Sequence, residues 1–288
     1  MKNCEEFMKF TKMHGAGNDF VIVNLIEESI PVEKLSSIAA RLCTPKLSIG
    51  ADGLMAVCKA DEGVDADYKM LFYNSDGGVG EMCGNGARCI ARYGYENGLA
   101  GETQRIQTAS GVVIGTRMSE RLYRVRLNSP SLIELDCDVE HNDVRYKCSY
   151  IELGVPGLPH AVVRCDGLAD ADLNILRETG RALRFHKAFP KGANVNFYEV
   201  QSRNHALIRT FERGVEDFTL ACGTGSGSTA IALALMGLVG DGELRITNPG
   251  GDLFISLVRD GDEIKDVFLT GPTNVVATGT VLDEDMEI

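Results

Sequence analysis

No stretch of this chain is apolar for long enough to cross a bilayer as a helix, and Met1 to Thr11 lacks the apolar core of a signal peptide. Positive charge is also short. Against 41 Asp and Glu there are 29 Lys and Arg, a formal net charge of −12. That balance argues against nucleic acid and membrane as partners. It leaves a small anionic or zwitterionic ligand open, because local dipoles dominate inside a pocket. The nine cysteines are odd in number and lack framework spacing, so a disulfide scaffold is not expected and a cytoplasmic, reducing setting is. No ligand pairs stand at zinc spacing, so no metal is expected. Gly15-Ala16-Gly17 has no third glycine in place and precedes a strand, where a dinucleotide loop would follow one. Neither a phosphate cradle nor a Schiff-base lysine for pyridoxal chemistry stands out.

What is present is a pattern of two. Cys83-Gly84-Asn85-Gly86-Ala87 and Cys222-Gly223-Thr224-Gly225-Ser226 each read Cys-Gly-polar-Gly-small, followed by apolar residues at helical spacing. With 288 residues, 44% of them apolar, the chain has material for two globular halves.

The halves read alike. In the first, strands are expected at Asp19–Asn24, Gly53–Cys58 and Tyr68–Asn74, and helices at Pro31–Leu42 and from Gly84 to Gly98. Further strands follow near Arg105–Thr108, Val112–Met118 and Tyr123–Leu127. Residues 10–18 read as a loop. In the second half, Ala161–Arg164, Asn194–Val200 and Ala206–Glu212 read as strands, and Asp170–Leu183 and Gly225–Met236 as helices. Glu243–Thr247, Leu253–Leu257 and Val267–Leu269 complete the order. Cys83 and Cys222 are 139 residues apart, as are Asn74 and Arg213, and Gly111 and Gly250, while Asp19 and His160 are 141 apart. A shared offset with a shared element order points to internal duplication. The polar segment Pro130 to Lys147 reads as the connection. The domains are then 1–130, joined by a C-terminal strand within 271–288, and 131–270. Two like halves facing each other would bring one cysteine loop from each to a cleft, where ligand sites concentrate.

Cys-Gly-x-Gly at a helix start suits acid–base work on an amino acid. Glycine lets the backbone approach a ligand. The first-turn amides and the helix dipole bind a carboxylate, and the same positive end favours a thiolate. A substrate carboxylate held there sets its α-carbon between two sulfurs, one a thiolate and one a thiol. The enolate-like charge of α-proton removal is met by fixed N–H donors, each worth ~3–4 kcal/mol. For Cys4, Cys43, Cys58, Cys89, Cys137, Cys148 and Cys165, which lack this context, a structural or incidental role is expected.

Tyr73-Asn74-Ser75-Asp76 ends a strand in ordinary turn residues, yet Asn74 offers an amide to a carboxylate. Glu212-Arg213 ends the matching strand. The pair reads as solvated surface or, at a cleft, as a clamp for a zwitterion, with Arg213 on a carboxylate and Glu212 on an ammonium. Asn18 reads as a turn residue or a substrate contact, and His160 as a packing residue or its counterpart in the second half.

Over most of its length the chain resembles the diaminopimelate epimerases, a cofactor-independent two-base group. The motifs are F-T-K-M-H-G-A-G-N-D-F (10–20), G-A-D-G (50–53), N-S-D-G (74–77), E-M-C-G-N-G-A-R-C (81–89), P-H (159–160), N-V-N-F (194–197), E-R-G (212–214) and A-C-G-T-G (221–225). The resemblance implies two like α/β (α+β) domains, each a mixed, largely antiparallel sheet curled around a central helix, with the site in the cleft between them. It implies a homodimer, no cofactor, and interconversion of LL- and meso-diaminopimelate for lysine and peptidoglycan synthesis. Cys83 and Cys222 would be base and acid, assisted by His160 and Glu212. Substrate contacts would come from Asn18, Asn74, Gly84, Asn85, Asn194, Glu212, Arg213, Gly223 and Thr224. Two positions depart from the family pattern. Leu158 stands where asparagine often precedes Pro-His, and Gly53 where glutamine is frequent. Leu158 motivates the alternative of a racemase for another amino acid. A dithiol redox protein and a non-catalytic amino-acid-binding module are the alternatives from other classes. In the redox case oxidation would be the activity, whereas here it would remove both base and acid.

Overall fold

A computed structural model describes residues 8–80 and 82–282, so Cys4 and Glu81 lie outside the described residues. The chain forms two compact units, one of residues 1–125 with 272–288 and one of residues 126–271.

The first unit contains β1 (Lys9–Gly15), β2 (Asn18–Asn24), α1 (Leu35–Leu42), β3 (Gly53–Cys58), β4 (Tyr68–Asn74), α2 (Gly84–Glu96), β5 (Thr103–Thr108), β6 (Gly111–Arg117) and β7 (Leu122–Leu127). The chain leaves this unit within β7. The second unit has β8 (Pro130–His141), β9 (Val144–Leu153), β10 (Leu158–Arg164), α3 (Leu173–Arg184), β11 (Asn194–Ser202), β12 (His205–Glu212), β13 (Asp217–Phe218), α4 (Gly223–Leu235), β14 (Glu243–Asn248), β15 (Gly251–Asp260) and β16 (Glu263–Pro272). The chain then returns to the first unit as β17 (Asn274–Thr280), antiparallel to β1.

The two pairing schemes are the same. In the first unit β1–β2 is antiparallel, β2–β3 parallel, β3–β4 antiparallel, β4–β5 parallel, and β5–β6 and β6–β7 antiparallel. In the second, β8–β9 and β9–β10 are antiparallel, β10–β11 parallel, β11–β12 antiparallel, β12–β14 parallel, and β14–β15 and β15–β16 antiparallel. Each parallel step needs a crossover. α1 and α2 supply it in the first unit, α3 and α4 in the second. The architecture is therefore a duplicated α+β fold, each half a mixed, mostly antiparallel sheet.

Both faces of the central strands β2, β3, β10 and β11 are covered, which is why these strands read as near-continuous apolar runs. Phe20, Ile22, Met55 and Val57 point inward and pack with Ile90, Ala91 and Tyr93 of α2. Val21, Val23, Leu54 and Ala56 point the other way and pack with Leu35, Ile38 and Leu42 of α1. In the second unit Ala161, Val163, Val195 and Phe197 meet Leu176 and Leu183 of α3. By the period of two, His160, Asn194 and Asn196 lie on the opposite, α4 side of that sheet. Burying each large side chain contributes ~1.5–3 kcal/mol. Asp172 caps α3, accepting from the Asn174 N–H at 2.8 Å, worth ~1 kcal/mol.

Several expectations shift. Residues 10–15, read as a loop, form most of β1, because pairing with β2 and β17 outweighs the local glycines. The presumed connection, Pro130 to Lys147, is β8 and the start of β9. β8 is largely exposed, so it carries no apolar alternation to betray it. α4 starts at Gly223, two residues earlier than read, because Cys222 is its cap. The duplication offset also varies along the chain. α2 and α4 are 139 apart, while β2 and β10, and β6 and β15, are 140 apart. Gly111 therefore matches Gly251, not Gly250. Strand register matches Phe20, not Asp19, to His160: Phe20 pairs with Gly53 as His160 pairs with Asn194. Gly53 in turn pairs with Asn74, and Asn194 falls opposite Glu212, the residue beyond the Val195–Phe211 pair. Asn74 therefore matches Glu212, not Arg213.

Candidate active site

The two cysteine segments have one local geometry. Cys83 is the N-cap of α2 with φ −118° and ψ 114°, and Cys222 is the N-cap of α4 with φ −115° and ψ 113°. Each sulfur accepts an N–H three residues on, from Gly86 and from Gly225, both at 3.4 Å. Both helices have 13 residues. Cysteine is not a preferred cap; Ser, Thr, Asp and Asn cap better. Capping strength therefore does not account for a sulfur at both positions. Helix geometry aims the N–H groups of Gly84 and Asn85, and of Gly223 and Thr224, out along the axis, where an anion binds.

The second glycine of each segment is fixed by close packing. A Cβ on Gly86 would overlap Met55 Cε, and one on Gly225 would overlap Asn196 Oδ1. The first turn of each helix thus lies directly on the strand that completes its unit's first parallel pair, β3 or β11.

Around Cys83, which is partly buried, the Sγ–H donates to Asn18 Oδ1 at 3.3 Å. Asn85 Nδ2 donates to the same oxygen at 3.3 Å. Asn18 is oriented by Asp52, whose Oδ2 accepts from Asn18 Nδ2 at 2.7 Å and from the Asp19 N–H at 3.1 Å. Asp19 pairs with Lys12 at 2.7 Å. Below lies Arg88, fully buried, donating to Asn85 Oδ1 at 3.1 Å and the Gly84 carbonyl at 3.4 Å. Burial lowers its pKa to about 10, so it stays a cation at neutral pH. Asn74 ends β4 opposite Gly53, exposed, with its N–H on the Gly78 carbonyl at 2.8 Å.

Cys222 is 6% exposed, and its sulfur lies 3.5 Å from Thr224 Oγ1. The Ser226 hydroxyl donates to the Cys222 carbonyl at 2.9 Å. Asn194 is buried and commits both ends of its amide: Nδ2 to the Pro159 carbonyl at 3.1 Å, Oδ1 to the Arg213 N–H at 2.8 Å. Arg213 Nη1 reaches the Lys191 carbonyl at 3.3 Å. Glu212 Oε2 accepts from the Thr219 hydroxyl at 2.6 Å. His160 is fully buried, and burial, followed by the nearby Arg213 charge, lowers its pKa to about 3. It is therefore neutral near pH 7.

The structure thus groups Asn18, Cys83, Gly84 and Asn85 within the first unit. In the second it groups His160, Asn194, Glu212 and Arg213 along β10–β12, and Cys222, Gly223 and Thr224 at the start of α4. Burial pushes the thiols of Cys43, Cys89 and Cys148 up to about 12, and raises those of Cys58, Cys137 and Cys165. The eight described cysteines form no disulfide among themselves. Among the described residues no cluster of three His, Cys, Asp or Glu is placed to hold a metal, and no helix is long and apolar enough to cross a membrane.

Sequence reasoning missed Asp52, Arg88, Asn196 and Thr210. An arginine inside an apolar helix signals Arg88. Alternation in Asn194-Val195-Asn196-Phe197, which puts both asparagines on one face of a buried strand, signals Asn196.

The family model for diaminopimelate epimerase matches residues 10–132 and 155–276, the first match mostly in one unit and the second mostly in the other. A diaminopimelate epimerase of Aquifex aeolicus is 36% identical over 97% of this chain and 100% of its own. One from Bacillus cereus is 34% identical over 94% of this chain and 96% of its own. Among solved structures, a Bacillus anthracis phenazine biosynthesis protein of the PhzF family aligns with TM-score 0.74 at 16% identity, covering 96% of this chain and 99% of that one. A hydroxyproline epimerase from Agrobacterium vitis aligns with TM-score 0.68 at 16% identity, covering 98% and 94%. At such identities these structures share the fold.

Proposed function

Because the chain belongs to the diaminopimelate epimerase family, an isomerase family, we propose that it moves the α-proton of diaminopimelate with Cys83 and Cys222. The reaction interconverts the LL and meso isomers. One thiolate removes the proton from one face of the α-carbon, forming an S–H bond as the C–H pair moves toward the carboxylate. The other thiol delivers its proton to the opposite face and is left as thiolate. The pair then exchanges roles for the reverse direction, so its two titrations are coupled. The amides of Gly84, Asn85, Gly223 and Thr224 hold the α-carboxylate, where charge develops in the transition state. Asn18, Asn74, Asn194, Glu212 and Arg213 bind the rest of the substrate, with Arg213 on the second carboxylate and Glu212 on an ammonium. His160 assists near the reacting carbon. The working form is a homodimer in a bacterial cytoplasm, measurable by light scattering and fractionation.

The observation that carries this reading is the pair of sulfur caps with matching backbone angles and matching N–H···S contacts at 3.4 Å. The test is incubation with LL-diaminopimelate and a panel of other amino acids in deuterated water. Deuterium at the α-carbon of diaminopimelate supports the proposal; incorporation only into another amino acid overturns it. That second outcome is the reading Leu158 favours, since a leucine at the start of β10 offers no polar atom to a distal carboxylate or ammonium.

A further inference from the structure

Asn196 is fully buried on β11, on the α4 side of its sheet. The direction of its amide follows from its neighbours. Nδ2 lies 3.2 Å from the Ala161 carbonyl and 3.4 Å from the Asn194 carbonyl, both of which only accept. Oδ1 accepts from the Thr210 hydroxyl at 2.9 Å. The reverse orientation would aim an amide oxygen at two carbonyl oxygens. The NH2 end therefore faces His160 Nδ1, 3.3 Å away. A proton on Nδ1 would point at another donor, so Nδ1 is the acceptor and the ring proton sits on Nε2. His160 Nε2 is buried, with no hydrogen-bond partner among the described residues. Leaving a buried donor unmet costs ~1–3 kcal/mol, a cost tolerated where the group serves a ligand or a reaction. Asn196 also touches the cysteine segment, since its Oδ1 fills the space a Cβ on Gly225 would occupy, and the Gly225 N–H is the one that meets Cys222 Sγ.

We propose that Asn196, held by Thr210, is a positioning residue that locks His160 as its Nε2–H tautomer, so that His160 acts as a neutral hydrogen-bond donor at the reacting centre and not as a proton carrier. This rests on the reading of His160 as part of the epimerase site. Its structural half stands apart from that reading, because the tautomer is a property of the resting protein.

The test is the ring-nitrogen NMR spectrum of the ¹⁵N-labelled full chain at pH 7 without substrate, with His160 assigned by its loss in His160→Gln. The expected result is Nε2 protonated and Nδ1 not. In Asn196→Asp the carboxylate accepts from the ring, so the proton moves to Nδ1. There kcat falls about 10–100-fold, the size of loss known when the group orienting a metal-bound histidine is removed, while KM changes little. Thr210→Val frees the amide and gives a smaller loss in kcat, with a mixture of tautomers. Nδ1–H in the wild-type protein overturns the proposal, as does an Asn196→Asp variant that keeps Nε2–H and wild-type kcat. Should Asn196→Asp fail to fold, the wild-type spectrum and Thr210→Val still decide. If the epimerase reading fails, the wild-type tautomer is still expected; if the tautomer is wrong, deuterium incorporation is unaffected.

Discussion

Under the first turn of α2 lies Met55; under the first turn of α4 lies Asn196. The two helix starts agree in cap residue, backbone angles and N–H···S distance, yet their surroundings have diverged. Where the first unit carries Phe20 on β2, the second carries His160 on β10 at the matching place in the register. Where the first begins β2 with Asn18, which meets Cys83, the second begins β10 with Leu158. Duplication repeats the frame that presents a sulfur at the positive end of a helix. The side chains around it then differ: the Cys83 sulfur meets an asparagine oriented by Asp52, whereas the Cys222 sulfur lies beside Thr224 and its helix starts on Asn196, which also meets His160.

The strongest way to break this comparison is to remove one sulfur at a time. If both caps serve one proton transfer, Cys83→Ala and Cys222→Ala each lower the epimerisation rate by ~10²–10⁴-fold or more, read by chiral chromatography of the two isomers. A variant that keeps the wild-type rate ends the equivalence. Next in size is glycine replacement. Gly225→Ala drives a Cβ into Asn196 Oδ1, an atom held by Thr210, and should cost ~1–3 kcal/mol in denaturant unfolding. Gly86→Ala drives a Cβ into the flexible end of Met55, with Phe20 at ordinary contact distance, and should cost distinctly less. Equal costs would contradict the difference drawn between the two floors.

His160 has no titrating counterpart at Phe20, which sharpens the contrast in pH. Its folded pKa, lowered to about 3, lies below the unfolded value near 6.5, so below pH 6.5 the unfolded chain binds the extra proton. The stability His160 contributes is complete above about pH 6.5 and is lost as pH falls toward about 3, by at most ~1.4 kcal/mol per pH unit. Unfolding at pH 7 and pH 5 should show wild type losing more than His160→Gln by this margin; parallel losses would contradict it. The smallest effect is expected from Leu158→Asn, which restores to β10 the side chain that opens β2. One added hydrogen bond of ~0.5–1.5 kcal/mol lowers KM for diaminopimelate about 2–10-fold. An unchanged KM would show that this position faces away from the substrate.

Much of this was legible in the sequence. The twin Cys-Gly-x-Gly segments, the strand–helix order and the duplication follow from glycine placement, apolar periodicity and spacing, all local signals. β1 and β8 were not legible. The first is a strand through pairing with β17, far along the chain, and the second is too exposed to carry alternation. One offset of 139 concealed loops of unequal length, so residue-to-residue matches slipped by one until strand register set them. Asp52, Arg88 and Thr210 act through neighbours that only folding supplies.

The central claim is that two thiols act on two faces of one carbon. It is tested most directly by following LL-diaminopimelate in deuterated water through the first few per cent of turnover, with mass analysis of each isomer. The account predicts that newly formed meso isomer carries one deuterium at the inverted α-carbon while unreacted LL isomer stays unlabelled, since the proton taken by one sulfur is not the one returned by the other. Meso isomer that keeps the substrate's own proton, or LL isomer labelled as fast as meso forms, would mean a single base and would contradict it.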